Sequence, residues 1–60
     1  MNIKITFKSV QKIKQDGLES QGMFIFCDKA DFLPDGLLEV FSGDDVNHFL
    51  IWSVLKIEIV

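Results

Sequence analysis

Leu37-Leu38-Glu39-Val40-Phe41-Ser42-Gly43-Asp44-Asp45-Val46-Asn47-His48-Phe49-Leu50-Ile51-Trp52 decides the fold of this chain, because it admits two readings. As strands, residues 37–41 and 46–52 flank a Gly-Asp loop, the arrangement of a β-hairpin. As a helix, Ser42-Gly43-Asp44-Asp45 caps a run with Val46, Phe49, Leu50, Val54 and Ile57 at helical spacing. Composition separates the two. The segment is rich in β-branched and aromatic side chains and lacks the strong helix formers Ala, Gln and Arg. The hairpin is the preferred reading, and an α+β fold with one helix near 44–56 is the alternative.

Working outward, Leu55-Lys56-Ile57-Glu58-Ile59 alternates cleanly, with Trp52-Ser53-Val54 as a corner or single helical turn before it. Upstream, Leu33-Pro34-Asp35-Gly36 reads as a turn, with Pro where a type I turn sets φ near −65°. Residues 23–27, Met-Phe-Ile-Phe-Cys, are apolar on both faces and predict a central strand covered on each side, or one face of an interface. Asn2-Ile3-Lys4-Ile5-Thr6-Phe7-Lys8 has strict period two, with Ile3, Ile5 and Phe7 on one side. The pattern slips between Val10 and Ile13, which predicts a bulge or bend near Ser9–Gln11, and Asp16-Gly17 supplies a turn.

These segments predict one domain over residues 1–60. It is all-β: a small, strongly curved antiparallel sheet or a partly open barrel of four to five strands. An apolar final strand left bare would aggregate, so it pairs either with the first strand or with a neighbouring subunit.

A chain of 60 residues buries only about 60% of its unfolded surface and usually needs a staple. One cysteine, Cys27, forms no internal disulfide, and one His with one Cys builds no closed zinc site. Hydrophobic residues make up 48% of the chain, with six Phe and one Trp, which is more than a lone small globule requires. Association with further copies is the expected staple. Phe41, Phe49, Ile51, Trp52, Ile57 and Ile59 are the expected interface residues, large aromatics burying much area for little lost rotamer freedom. The same aromatics serve equally well as core.

Net charge is −3 and unevenly spread. Residues 1–14 carry Lys4, Lys8, Lys12 and Lys14 and no acid (+4), whereas 15–60 carry Lys29 and Lys56 against nine acids (2 − 9 = −7). Cross-strand pairing is the plain explanation, and head-to-tail association of opposite patches the sharper one. Absence of Arg and the negative total disfavour nucleic-acid binding. No apolar run approaches the roughly 20 residues of a membrane span, no signal-peptide pattern is visible, and a lone cysteine fits a reducing compartment. The expected location is the cytoplasm.

No catalytic, metal or cofactor motif stands out. His48 reads as a surface histidine, and Cys27 as a small buried hydrophobe. Asp28, Asp31 and Asp35 lack calcium-loop spacing, and Glu39 and Glu58 read as exposed strand positions. Asp28, Asp31, Asp44 and Asp45 form acidic loops suited to contacting a protein partner.

In style the whole chain resembles short accessory proteins of tailed phages and integrated elements: a tiny β-domain, Lys- and Ile-rich and Arg-free. The resemblance implies a non-enzymatic assembly protein, a homo-oligomeric scaffold or chaperone-like adaptor. The alternative is a small inhibitor occluding a host enzyme, of the anti-defence or nucleic-acid-mimic type.

Overall fold

The computed structural model describes residues 2–60. β1 (Ile3–Gln15) and β2 (Leu18–Cys27) form a long antiparallel hairpin. Asp16 and Gly17 turn it, with φ of 54° and 74°. Two positive φ values in a two-residue loop are the signs of a type I′ turn, whose twist matches that of the flanking strands. The ladder shifts register between Thr6 and Gln11, where the alternation slips. Ile5, Phe7 and Ile13 are thereby all buried while Val10 points to solvent.

On its other side β1 pairs with β6 (Val54–Ile59), giving a three-stranded sheet in the order β2-β1-β6. The second sheet is β3 (Lys29–Phe32), β4 (Leu37–Ser42) and β5 (Asp45–Leu50), in that order. Only Asp28 separates β2 from β3, so the chain bends there from one sheet into the other. The turn between β3 and β4 is closed by Gly36 N–H donating to the Leu33 carbonyl, and Gly36 has φ 84°. That left-handed residue is where glycine costs least.

A 3-10 turn, Ile51–Ser53, returns the chain from β5 to β6. It is pinned at both ends. Ile51 N–H donates to the Gly36 carbonyl at 2.9 Å, and Ser53 Oγ donates to the Leu50 carbonyl at 2.6 Å.

The core lies between the sheets. Ile5, Phe7, Ile13, Ile25 and Cys27 come from the first, and Leu38, Val40 and Phe49 from the second. The Phe7 and Phe49 rings meet across it, 4.5 Å between centroids and tilted by 47°. No backbone ladder joins β1 to β5 among the described residues. That seam is spanned by Asn47, whose carboxamide bonds both backbone groups of Lys14.

The all-β reading and the hairpin therefore hold, with its second arm ending at Leu50 rather than Trp52, and the α+β alternative does not. Of residues 44–56 only 51–53 are helical, as one 3-10 turn. There are six strands, one more than the upper expectation, because Lys29–Phe32, expected to lie in an acidic loop, pairs with β4 as a strand. The final strand pairs with the first, Ile3 opposite Ile59. One expectation is corrected: residues 23–27 are not a central strand covered on both faces. β2 is an edge strand, with Ile25 and Cys27 buried and Met23, Phe24 and Phe26 exposed.

Candidate interaction surface

Two three-stranded sheets enclose little volume, and the apolar content exceeds it. Eight hydrophobic side chains are buried, whereas thirteen large ones stay exposed among the described residues, so most of the apolar surplus lies outside. Several share one element: Met23, Phe24 and Phe26 on β2, and Leu55, Ile57 and Ile59 on β6.

Both are edge strands, but β6 is the more accessible for pairing, because on β2 the Phe26 carbonyl already accepts from Ser42 Oγ at 3.3 Å and Gln15 Nε2 at 3.4 Å. Antiparallel strands alternate between residues whose backbone groups address the partner and residues whose groups point away. Val60 N–H donates to the Asn2 carbonyl at 2.8 Å, in register with Ile3↔Ile59, Lys4↔Glu58 and Ile5↔Ile57. Lys56, Glu58 and Val60 therefore bond to β1. The N–H and C=O groups of Ile57 and Ile59 point to the opposite side, where the order β2-β1-β6 places no strand among the described residues. The Ile57 and Ile59 side chains share the inward face with Ile5 and Ile3, yet they are 40% and 76% exposed, because the second sheet does not reach over them.

The outward face of the same sheet carries Phe26–Lys4–Glu58 and Phe24–Thr6–Lys56 as rows across the strands. Lys4 Nζ lies 4.9 Å from the Phe24 ring centroid and 5.9 Å from that of Phe26, and the two rings meet edge to face at 5.7 Å. Lys56 and Glu58 pair at 3.7 Å. A cation over an aromatic face lets the rings remain at the surface with part of their area covered.

The six expected interface residues separate. Phe49 is core. Ile51 is half-buried and packs against the core. Phe41 is half-buried on the outer face of the second sheet, with Lys29 Nζ 5.5 Å from its ring centroid. Trp52, Ile57 and Ile59 are exposed, Trp52 by 70%.

Three of the four acidic residues have partners within the domain, and Asp31 and Asp45 lie in β3 and β5 rather than in loops. Asp28 accepts the Gly43 N–H at 2.9 Å, a bond that holds its carboxyl below the ordinary range. Asp45 accepts the Gly17 N–H at 3.4 Å, and Asp31 pairs with Lys29 at 3.4 Å. Asp44 sits beside Gly43 in the exposed two-residue turn between β4 and β5. Glu39 and Glu58 lie in different sheets, and Glu39 bonds His48 Nε2 at 3.0 Å.

Chemistry-bearing groups do not converge. Among the described residues no three His, Cys, Asp or Glu side chains are placed to hold a metal ion. An open depression lies at Lys12, Glu19, Ser20 and Gln21. Cys27 is buried, and that burial, followed by the Asp28 charge, pushes its thiol up. No helix of the described residues is long and apolar enough to cross a membrane.

No family model, curated protein or solved structure matches this chain.

Sequence reasoning missed Phe24, Phe26 and Asn47. Period two in 23–27 does separate Phe24 and Phe26 from Ile25 and Cys27, but nothing local says which set faces inward. Asn47 falls on the inward set with Phe49, and a polar residue at an inward position of a strand was the available signal.

Proposed function

We propose that this is a non-enzymatic binding and assembly protein that works as a homo-oligomer, presenting repeated surfaces to a larger protein partner. The observation that carries the reading is the exposed apolar surface: Trp52 and the β6 residues Ile57 and Ile59 stand in water beside a strand edge with open backbone groups. Such an edge invites strand pairing unless it is covered, and covering it stabilises a domain too small for a large core. A scaffold or chaperone-like adaptor of the phage or mobile-element kind fits a module of this size. Light scattering at low micromolar concentration tests the reading. A mass that is a multiple of 6.9 kDa is expected, and a stable monomer overturns it.

A second reading is a small inhibitor that occludes a host enzyme through its acidic end. The bonds Asp28–Gly43 and Asp45–Gly17 draw three turns together and leave Asp16, Asp28 and Asp44 exposed there. Binding to one host enzyme that is lost on Asp44→Lys supports this reading, and binding that survives the change removes it.

A further inference from the structure

The edge of β6 has a property beyond being open: it is complementary to itself. Rotating a second copy about a two-fold axis through Ile57 sets β6 antiparallel to β6. Ile57 then faces Ile57, Leu55 faces Ile59, and Lys56 faces Glu58, each pair twice over except the central one. Backbone geometry agrees with this register. Ile57 and Ile59 are the residues whose N–H and C=O groups point off the edge, so they fall at the hydrogen-bonding positions of the new ladder. Lys56 and Glu58 fall at the non-bonded positions, where strands approach most closely and side-chain pairing is strongest.

Both faces gain. On the inner side the row Ile25–Ile5–Ile57 continues into its own mirror, covering isoleucines the second sheet leaves bare. On the outer side Lys4, Glu58, Lys56 and Thr6 alternate in charge or polarity across the joint. The β3 edge offers a weaker version. It has four residues, and the same operation about Ala30 matches Lys29 with Asp31 but sets Phe32 against Asp28. Moving the β6 register by two residues in either direction loses the Lys56–Glu58 match.

We propose that two copies of this chain join through β6 in this register, forming one six-stranded sheet in the order β2-β1-β6-β6-β1-β2 with Ile57 on the two-fold axis. The proposal rests on the homo-oligomer reading above and specifies its joint. An isologous contact of this kind closes on itself and does not propagate.

Directed cross-linking tests it. Chains carrying Lys56→Cys are mixed with chains carrying Glu58→Cys under mild oxidation, and each variant alone and the unaltered chain serve as controls. Light scattering records the mass of each reduced sample. Non-bonded antiparallel pairs have Cα atoms about 4.5 Å apart, within disulfide reach, whereas diagonal neighbours about 7–8 Å apart are beyond it. The mixture is expected to form a covalent dimer at least about tenfold more efficiently than either variant alone. Lys56→Glu, which opposes carboxylates at both symmetry-related pairs, is expected to weaken association about tenfold. An oligomeric mass without preferential cross-linking of the mixture overturns the register and leaves the homo-oligomer reading standing. A monomer in every sample overturns both.

Discussion

The carboxamide of Asn47 pairs with the backbone of Lys14 in both directions: Oδ1 accepts the Lys14 N–H at 2.8 Å, and Nδ2 donates to the Lys14 carbonyl at 2.9 Å. A side chain thus stands in for a peptide group and joins β5 to the far half of β1 where no ladder exists. Asn47 is itself only 8% exposed while Lys14 is an exposed residue, so the bonds are partly sheltered from water.

Removing this amide leaves Lys14 with two partly solvated backbone groups. Asn47→Ala is expected to cost about 1–2 kcal/mol, the lower part of the loss of about 1–3 kcal/mol usual for a stranded buried group. Asn47→Asp keeps the acceptor for the Lys14 N–H but turns the donor into a second oxygen facing the Lys14 carbonyl, so it should also destabilise. Urea titration followed by circular dichroism measures both. Midpoints equal to that of the unaltered chain would show that the seam does not depend on Asn47.

How much of this was readable beforehand differs by residue. Ile3, Ile5 and Phe7 announced a half-buried strand because one face is apolar and the other polar, and Asp16-Gly17 and Pro34-Asp35-Gly36 placed the turns through their backbone preferences. Residues 23–27 gave no such contrast, so which side of β2 faces the core was settled only by Lys4 lying across Phe24 and Phe26 and by the second sheet covering Ile25 and Cys27. The open side of β6 was equally hidden. Alternation in 55–59 identifies a strand, but its free edge depends on β1 already having β2 as its other neighbour. The role of Asn47 depends on a partner, Lys14, that lies 33 residues away.

Phe49 and Trp52 should respond oppositely to truncation. Phe49 packs on Phe7 inside the core, so Phe49→Ala is expected to cost about 3–5 kcal/mol and unfold much of the population. Trp52 is mostly in water, so Trp52→Ala should change folding stability by no more than about 0.5 kcal/mol. Any large effect of Trp52→Ala should fall on assembly. Thermal melts and size-exclusion chromatography on the same samples separate the two.

Asp28 links stability to acidity. Its carboxyl is lowered from an ordinary value of 3.8 chiefly by the Gly43 N–H. A depressed acid in the folded state adds stability above its unfolded value, and that increment is lost as pH falls through the depressed value. Asp28→Asn retains a side-chain oxygen for Gly43 but has no proton to take up. Its stability should therefore fall less steeply than that of the unaltered chain below about pH 4, as read from denaturant midpoints across an acid series.

Cys27 offers a probe of opening. The buried thiol is pushed up, so both shielding and protonation suppress the reactive thiolate at neutral pH. Labelling by a thiol reagent should follow the population of opened molecules and accelerate in Asn47→Ala in step with its lost stability. Rapid labelling of the intact fold would contradict the burial of Cys27. Because folding raises the thiol, the associated stability is complete below the unfolded value and declines as pH rises through the folded one.

The placement of Ile3 opposite Ile59 also bears on how the molecule is made. The middle strand of its first sheet must wait for one of its two neighbours, because Ile59 follows Ile3 by 56 positions (59 − 3). Closing so long a span must precede any reward from the pairing, which places folding in the slow range of roughly milliseconds to seconds. During that wait newly made copies offer one another the same unmatched flank. Yield of correctly folded material should therefore rise when synthesis is slowed.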